Sequence, residues 1–316
     1  MSRIHEALKK AEQERAAAQG GAAQPSFAST PVTDSPVFHD STGYDTAGHD
    51  PTAATAAPTQ VGLPAFGSQF NIDTLLARSA QLEWKPDLST MLFLNSDDSA
   101  RGTEEFRTLR SRLYHLREKM PLKKLLITSA LPKEGKSFTS SNLAQVMVRQ
   151  HGRRALLIDA DLRAPRLHTM LGTTSDPGLS DYLLGRNDEF SIMQRGPLEN
   201  LFFIPSGTGA ADPAELVGNG RLKMLLQRVE PLFDWIIIDS PPALPVSDAS
   251  VLAKACDGVV MVVRSNVTPS EVARKARQEF PDQALVGVVL NGTREDAVPY
   301  SRYYYESYQK KSTAKV

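Results

Sequence analysis

The chain has one cysteine, Cys256, among 316 residues. That excludes an internal disulfide framework and any metal site built from two thiolates of one chain; at the head of the apolar run "ACDGVVMVV" the thiol reads as a core group. Charge of one sign is also missing in excess. The 36 Lys and Arg offset 36 Asp and Glu, so no basic surplus points to nucleic acid as a partner. No apolar run approaches the roughly 18 residues of a spanning helix, and the N-terminus has no signal-peptide apolar region, so a cytoplasmic location is expected. Lys and Arg vanish between Arg15 and Arg78, where Pro, Thr, Ser, Ala and Gly take over. Residues 20–95 are therefore expected to be mostly disordered linker, with only a loosely placed helix and extended piece after residue 70. Before them, "MSRIHEALKKAEQER" sets Ile4, Leu8 and Ala11 at helical spacing, predicting a short amphipathic helix over 1–19.

From residue 96 to 295 the pattern is regular. The apolar runs "KKLLITSA", "RALLIDAD", "NLFFIPSG", "DWIIIDSP", "GVVMVVRS" and "ALVGVVLNG" alternate with helical segments. Such alternation predicts an α/β domain, a mainly parallel sheet with helices on both faces.

Between the first of these strands and its helix lies "ALPKEGKS", Ala130 to Ser137. It fits the phosphate-binding loop G-x-x-x-x-G-K-[ST] except that Ala130 replaces the first glycine. Backbone amides at a helix N-terminus bind anions whatever that first residue is. Lys136 would reach the β- and γ-phosphates of ATP, and Ser137 would give its hydroxyl to Mg²⁺. The next strand ends "LLIDADLRAPRLH", placing Asp159 and Asp161 on one side of an extended chain, at the end where open α/β sheets bind ligands. "WIIIDSPP" adds Asp239 in the form of a Walker B acid. Clustered carboxylates call for a cation between them.

These three motifs, with "GLSDYLLG" and "PSGTGAADPAELV", resemble the bacterial tyrosine kinases of exopolysaccharide and capsule biosynthesis, which run tyrosine phosphorylation on a P-loop NTPase fold related to that of the ParA/MinD ATPases. The opening helix is similar to that of stand-alone members associated with exosortase systems. The resemblance implies an ATP- and Mg²⁺-dependent protein-tyrosine autokinase. Lys133, Glu134, Gly135, Lys136, Ser137, Phe138 and Asn291 would contact ATP; Ser137, Asp161 and Asp239 would hold Mg²⁺; Asp159 would accept the phenolic proton. It also implies a ring of like chains joined through Glu104, Arg107 and Arg110 of "EEFRTLRSR", a transmembrane polysaccharide co-polymerase acting in trans, recruitment to the inner face of the membrane, and a cognate tyrosine phosphatase.

The C-terminal stretch 296–316 gains a purpose from this. It holds Tyr300, Tyr303, Tyr304, Tyr305 and Tyr308, five of the chain's eight tyrosines, and the resemblance makes them autophosphorylation sites. Two other readings stay open: a ParA/MinD-type partitioning or site-selecting ATPase, and a non-catalytic scaffold with an adhesive tail. The first looks for lysine at the second loop position, where this chain has Leu131, with Lys133 two places later.

Overall fold

The computed structural model describes residues 71–94 and 102–293. The expected N-terminal helix, most of the linker and the tyrosine-rich tail lie outside the described residues. Helix α1 (Ile72–Arg78) opens on Asn71, whose carboxamide oxygen accepts from Thr74 N at 2.8 Å, satisfying an amide of the first turn. Strand β1 (Ala80–Gln81) follows, then helix α2 (Thr103–Arg117), which buries Phe106 and Leu113, two turns apart. The alternating part runs β2 (Lys124–Ser129), α3 (Lys136–Val148), β3 (Ala155–Asp159), α4 (Leu167–Leu171), α5 (Leu179–Leu183), β4 (Gln194–Arg195), β5 (Leu201–Ile204), α6 (Pro213–Gly218) and α7 (Arg221–Val229). It closes with β6 (Trp235–Asp239), α8 (Asp248–Ala253), β7 (Gly258–Arg264), α9 (Ser270–Arg277) and β8 (Leu285–Asn291).

Among the described residues, eight strands form one sheet in the order β1-β4-β5-β3-β6-β2-β7-β8. Of the pairings among the described residues, β4–β5 alone is antiparallel. The expected mainly parallel α/β sheet is therefore present, and each of the six apolar runs is a strand in it. Apart from Lys124 at the start of β2, its central strands are buried because both faces are covered, which is why they read as continuous apolar runs. Leu126, Leu156, Ile158, Ile236 and Ile238 face one core, and Leu125, Ile127, Leu157, Ile237 and Val260 the other.

Residues 71–94 narrow the expected linker. Leu75 enters the first core, Trp84, Met91 and Phe93 enter the second, and β1 pairs with β4. Asn142 of α3 fixes the segment: its Nδ2 donates to Thr90 O at 2.8 Å and its Oδ1 accepts from Leu92 N at 2.8 Å. The folded domain thus extends N-terminal of residue 96, because a few aromatic and aliphatic anchors outweigh a basic-poor local composition.

Candidate active site

The site forms at the carboxyl ends of three neighbouring strands, β3, β6 and β2. Pairing sets Asp159 level with Asp239 and Asp239 level with Ile127, so the acids of two motifs 80 residues apart meet beside the loop that leaves β2. That loop turns into α3 at Gly135, which has φ +97°. A Cβ there would lie 2.0 Å from Asn291 Nδ2, so both the left-handed conformation and the close approach demand glycine. Gly135→Ala is expected to weaken Mg-nucleotide binding by at least about tenfold, since left-handed strain of about 1–2 kcal/mol adds to the collision. Adding Asn291→Ala should relieve the collision and leave the strain, so calorimetric titration of a non-hydrolysable ATP analogue would show partial recovery.

Lys136, Asp161 and Asp239 form one buried cluster. Lys136 Nζ donates to Asp161 Oδ2 at 2.7 Å and lies 3.6 Å from Asp239 Oδ2. Ser137 Oγ donates to Asp239 Oδ2 at 2.6 Å, and Ser140 Oγ to Asp239 Oδ1 at 2.9 Å. Asp159 shapes the loop that carries Asp161. Its Oδ2 accepts from Arg166 N at 3.2 Å and Leu167 N at 3.1 Å, while its Oδ1 accepts only from Asp161 N at 3.3 Å.

Burial pushes the Asp159 carboxyl up to about 8, and the neighbouring Asp239 adds to the rise. Burial likewise raises Asp239, against the pull of Lys136, Ser137 and Ser140. Desolvation works against the Lys136 ammonium, but Asp239, Asp161 and Asp159 outweigh it and hold that ammonium above the ordinary lysine value. In effect the ammonium stands where the carboxylates need a cation.

Other residues expected at ATP bind within the protein. The Glu134 carboxylate turns inward, accepting from Leu131 N at 2.6 Å and from Thr268 Oγ1. Asn291 Nδ2 donates to Glu134 O at 2.9 Å, and Lys133, exposed at φ 65°, has its carbonyl held by Arg264 Nη1 at 3.2 Å. The Phe138 ring stacks edge-on against Phe106 at 5.8 Å, leaving only its backbone amide for a phosphate. Glu104 and Arg107 pair on the surface of α2, and Arg110 Nη1 donates to Val146 O at 2.9 Å near the end of α3. The five tail tyrosines lie outside the described residues.

Two features escaped the sequence reading. Ser140, three residues after Ser137, shares its helix face and gives Asp239 a second hydroxyl; that spacing was the available signal. Arg163 binds Asp248 through two bonds of 2.8 and 3.0 Å, joining the loop after β3 to the start of α8. Nothing local in the sequence announces a partner 85 residues away.

A helix-capped phosphate loop, its lysine and serine, and acids on two adjacent strand ends define a nucleotide-binding P-loop protein. Residues 133–271 match the AAA domain family. The tyrosine-protein kinase YwqD of Bacillus subtilis (strain 168) is 36% identical over 195 residues, covering 61% of this chain and 82% of that protein. The tyrosine-protein kinase wzc of Salmonella typhimurium is 32% identical over 214 residues, 67% of this chain and only 30% of that longer protein. Among solved structures, the kinase domain of Escherichia coli tyrosine kinase ETK matches with a TM-score of 0.59 at 31% identity, over 65% of this chain and 82% of that one. The chain belongs to the bacterial tyrosine-protein kinases, and its activity is that of a protein-tyrosine kinase. Among the described residues no helix is long and apolar enough to cross a membrane.

Proposed function

We propose that the chain moves the γ-phosphoryl group of ATP onto the tyrosines of its own C-terminal cluster, each copy acting on a neighbour, and that this cycle regulates exopolysaccharide or capsule polymerisation and export. The observation that carries the reading is the Lys136–Asp161–Asp239 cluster directly under the phosphate loop. Lys136 leaves Asp161 for the β- and γ-phosphates, and the loop amides at the start of α3 hold the same anion. Ser137, Asp161 and Asp239 would hold Mg²⁺. They are hard oxygen donors, and the hydroxyl beside two carboxylates suits an ion that takes its remaining ligands from water and phosphate. When bound, the metal supplies charge neutralisation at the transferring phosphoryl group.

The incoming phenol, with an ordinary pKa near 10, needs a base. Asp159 Oδ1 is the less engaged of that carboxylate's oxygens; it takes the proton in its ionised form, which a cation held beside Asp161 and Asp239 would favour against the burial that raises its pKa. Intact-mass spectrometry before and after Mg-ATP tests the transfer. Phosphate confined to tail peptides is the expected result, whereas ATP hydrolysis with no protein phosphate would favour a partitioning ATPase.

Assembly rests on the face of α2. Glu104, Ser111, Arg112 and His115 are exposed along that helix, a surface for a second copy. Replacing Arg107 and Arg110 together by alanine is expected to shift the protein toward monomer and slow tail labelling about tenfold or more, as tethered access is lost. Arg110→Ala alone separates the loss of its bond to Val146 from the loss of an interface. Light scattering that finds the double variant unchanged in mass removes this face from the assembly. A membrane co-polymerase acting in trans, recruiting the chain to the inner face of the membrane, and a tyrosine phosphatase complete the proposed cycle.

A further inference from the structure

Strand β8 ends the sheet: it pairs with β7 on one side, and no described strand takes the other. Such an edge presents a row of backbone donors and acceptors that proteins normally cover or blunt. Here it is neither charged nor short. Val288 and Leu290 are 54% and 57% exposed, and they stand level with Met261 and Val263 of β7, whose side chains belong to the core. The strand thus carries an apolar face beyond the edge of its own core.

The chain itself supplies the occupant. β8 is followed at once by Gly292, at φ +68°, a left-handed residue of the kind that turns a strand back on itself. The segment 294–299 can span about 20 Å at full extension, far more than the roughly 4.8 Å between neighbouring strands. Next comes "YSRYYY", residues 300–305. In a strand its side chains alternate, so Tyr300 and Tyr304 share one face and Tyr303 and Tyr305 the other. Tyr303 and Tyr305 have the two-residue spacing of Val288 and Leu290, so one register lays two tyrosines over that pair, the aromatic-on-aliphatic pairing that stabilises neighbouring strands; the other places one tyrosine and Arg302 there. Attachment to β8 also makes this an intramolecular contact at high effective concentration.

We propose that the unphosphorylated tail, when no neighbour's active site holds it, adds to the edge of β8 as an antiparallel strand covering Val288 and Leu290, and that phosphorylation detaches it. Detachment follows from charge, because a phosphate of about −1.5 to −2 cannot lie on an apolar face without losing its hydration. That limb rests on the proposed autophosphorylation; the docking does not. β8 also ends in Asn291, which holds Glu134 of the phosphate loop, so the docked strand stiffens the nucleotide site as well.

Hydrogen exchange measured by mass spectrometry on the full chain tests this. In phosphatase-treated protein without nucleotide, the amides of 300–305 should exchange at least tenfold more slowly than in the Val288→Lys/Leu290→Lys variant, with β7 as the internal control for folding. Mg-ATP treatment of the wild type should abolish the protection, a comparison that needs no variant. Equal exchange in variant and untreated wild type overturns the docking, and so does protection that rises with protein concentration, which would give the edge to another copy. Protection present without ATP in a chain that never labels itself would leave the docking standing and sink the kinase cycle instead.

Discussion

Lys136→Met is expected to lower tail phosphorylation by about 10²–10³-fold or more, the scale of losing one preorganised charge contact in a transition state. It should also destabilise the nucleotide-free protein. A loop lysine seen only as a phosphate ligand would be silent in the fold, but Lys136 is 9% exposed and neutralises buried Asp161 and Asp239. Breaking a buried ion pair by removing one partner costs about 3–5 kcal/mol. The deficit should depend on pH. Asp159, raised to about 8 from 3.8, binds a proton in the fold that the unfolded chain has already released. Its stabilising contribution is therefore full below about pH 4 and is lost as pH rises through about 8. Without the ammonium these carboxylates repel more strongly, so wild type and variant should melt close together near pH 5 and diverge toward pH 8. Calorimetry in EDTA at the two pH values measures this. Parallel melting curves with wild-type labelling would remove Lys136 from the site.

The second large effect is on assembly. From Tyr300 onward the side chains carry Arg302, Lys310, Lys311 and Lys315 against Glu306, a balance of plus three. Five phosphotyrosines would take that to about −5 to −7. A basic tail suits entry into a site lined by Asp159, Asp161 and Asp239; one so acidic is expelled from it. Unphosphorylated protein is therefore expected to assemble and the heavily phosphorylated form to fall to monomer at physiological salt. A chain with all five tyrosines changed to phenylalanine should remain assembled through Mg-ATP treatment. Light scattering before and after the reaction decides it, and phosphorylated wild type that keeps its assembled mass contradicts the switch.

Much of this was legible in the sequence because local rules governed it. Six strands could be read from buried apolar runs, and Lys136, Ser137, Asp159, Asp161 and Asp239 from motifs whose spacing the strand ends impose. What could not be read depended on partners far along the chain. Strands β1 and β4 have two residues each, too short for any periodicity. The packing of Trp84, Met91 and Phe93 rests on Asn142, some 50 residues on. Glu134, Phe138 and Asn291 sit where ATP contacts were expected, yet their side chains bind the protein; a motif locates a loop and does not say which way each side chain turns. The same holds for Arg110, whose three-residue spacing from Arg107 suggested a shared outer face while its guanidinium ties α2 to α3.

The central claim is that a P-loop in one copy phosphorylates the tyrosine tail of another, and a mixing experiment meets it directly. A Lys136→Met chain keeps the tail and lacks the catalyst, whereas a chain with the five tail tyrosines changed to phenylalanine keeps the catalyst and lacks the acceptors. Incubated separately with labelled Mg-ATP, neither should acquire tail phosphotyrosine. Mixed, the Lys136→Met chain should be labelled on Tyr300, Tyr303, Tyr304, Tyr305 and Tyr308. A mixture that stays unlabelled, under conditions where wild type labels itself, would contradict transfer between copies.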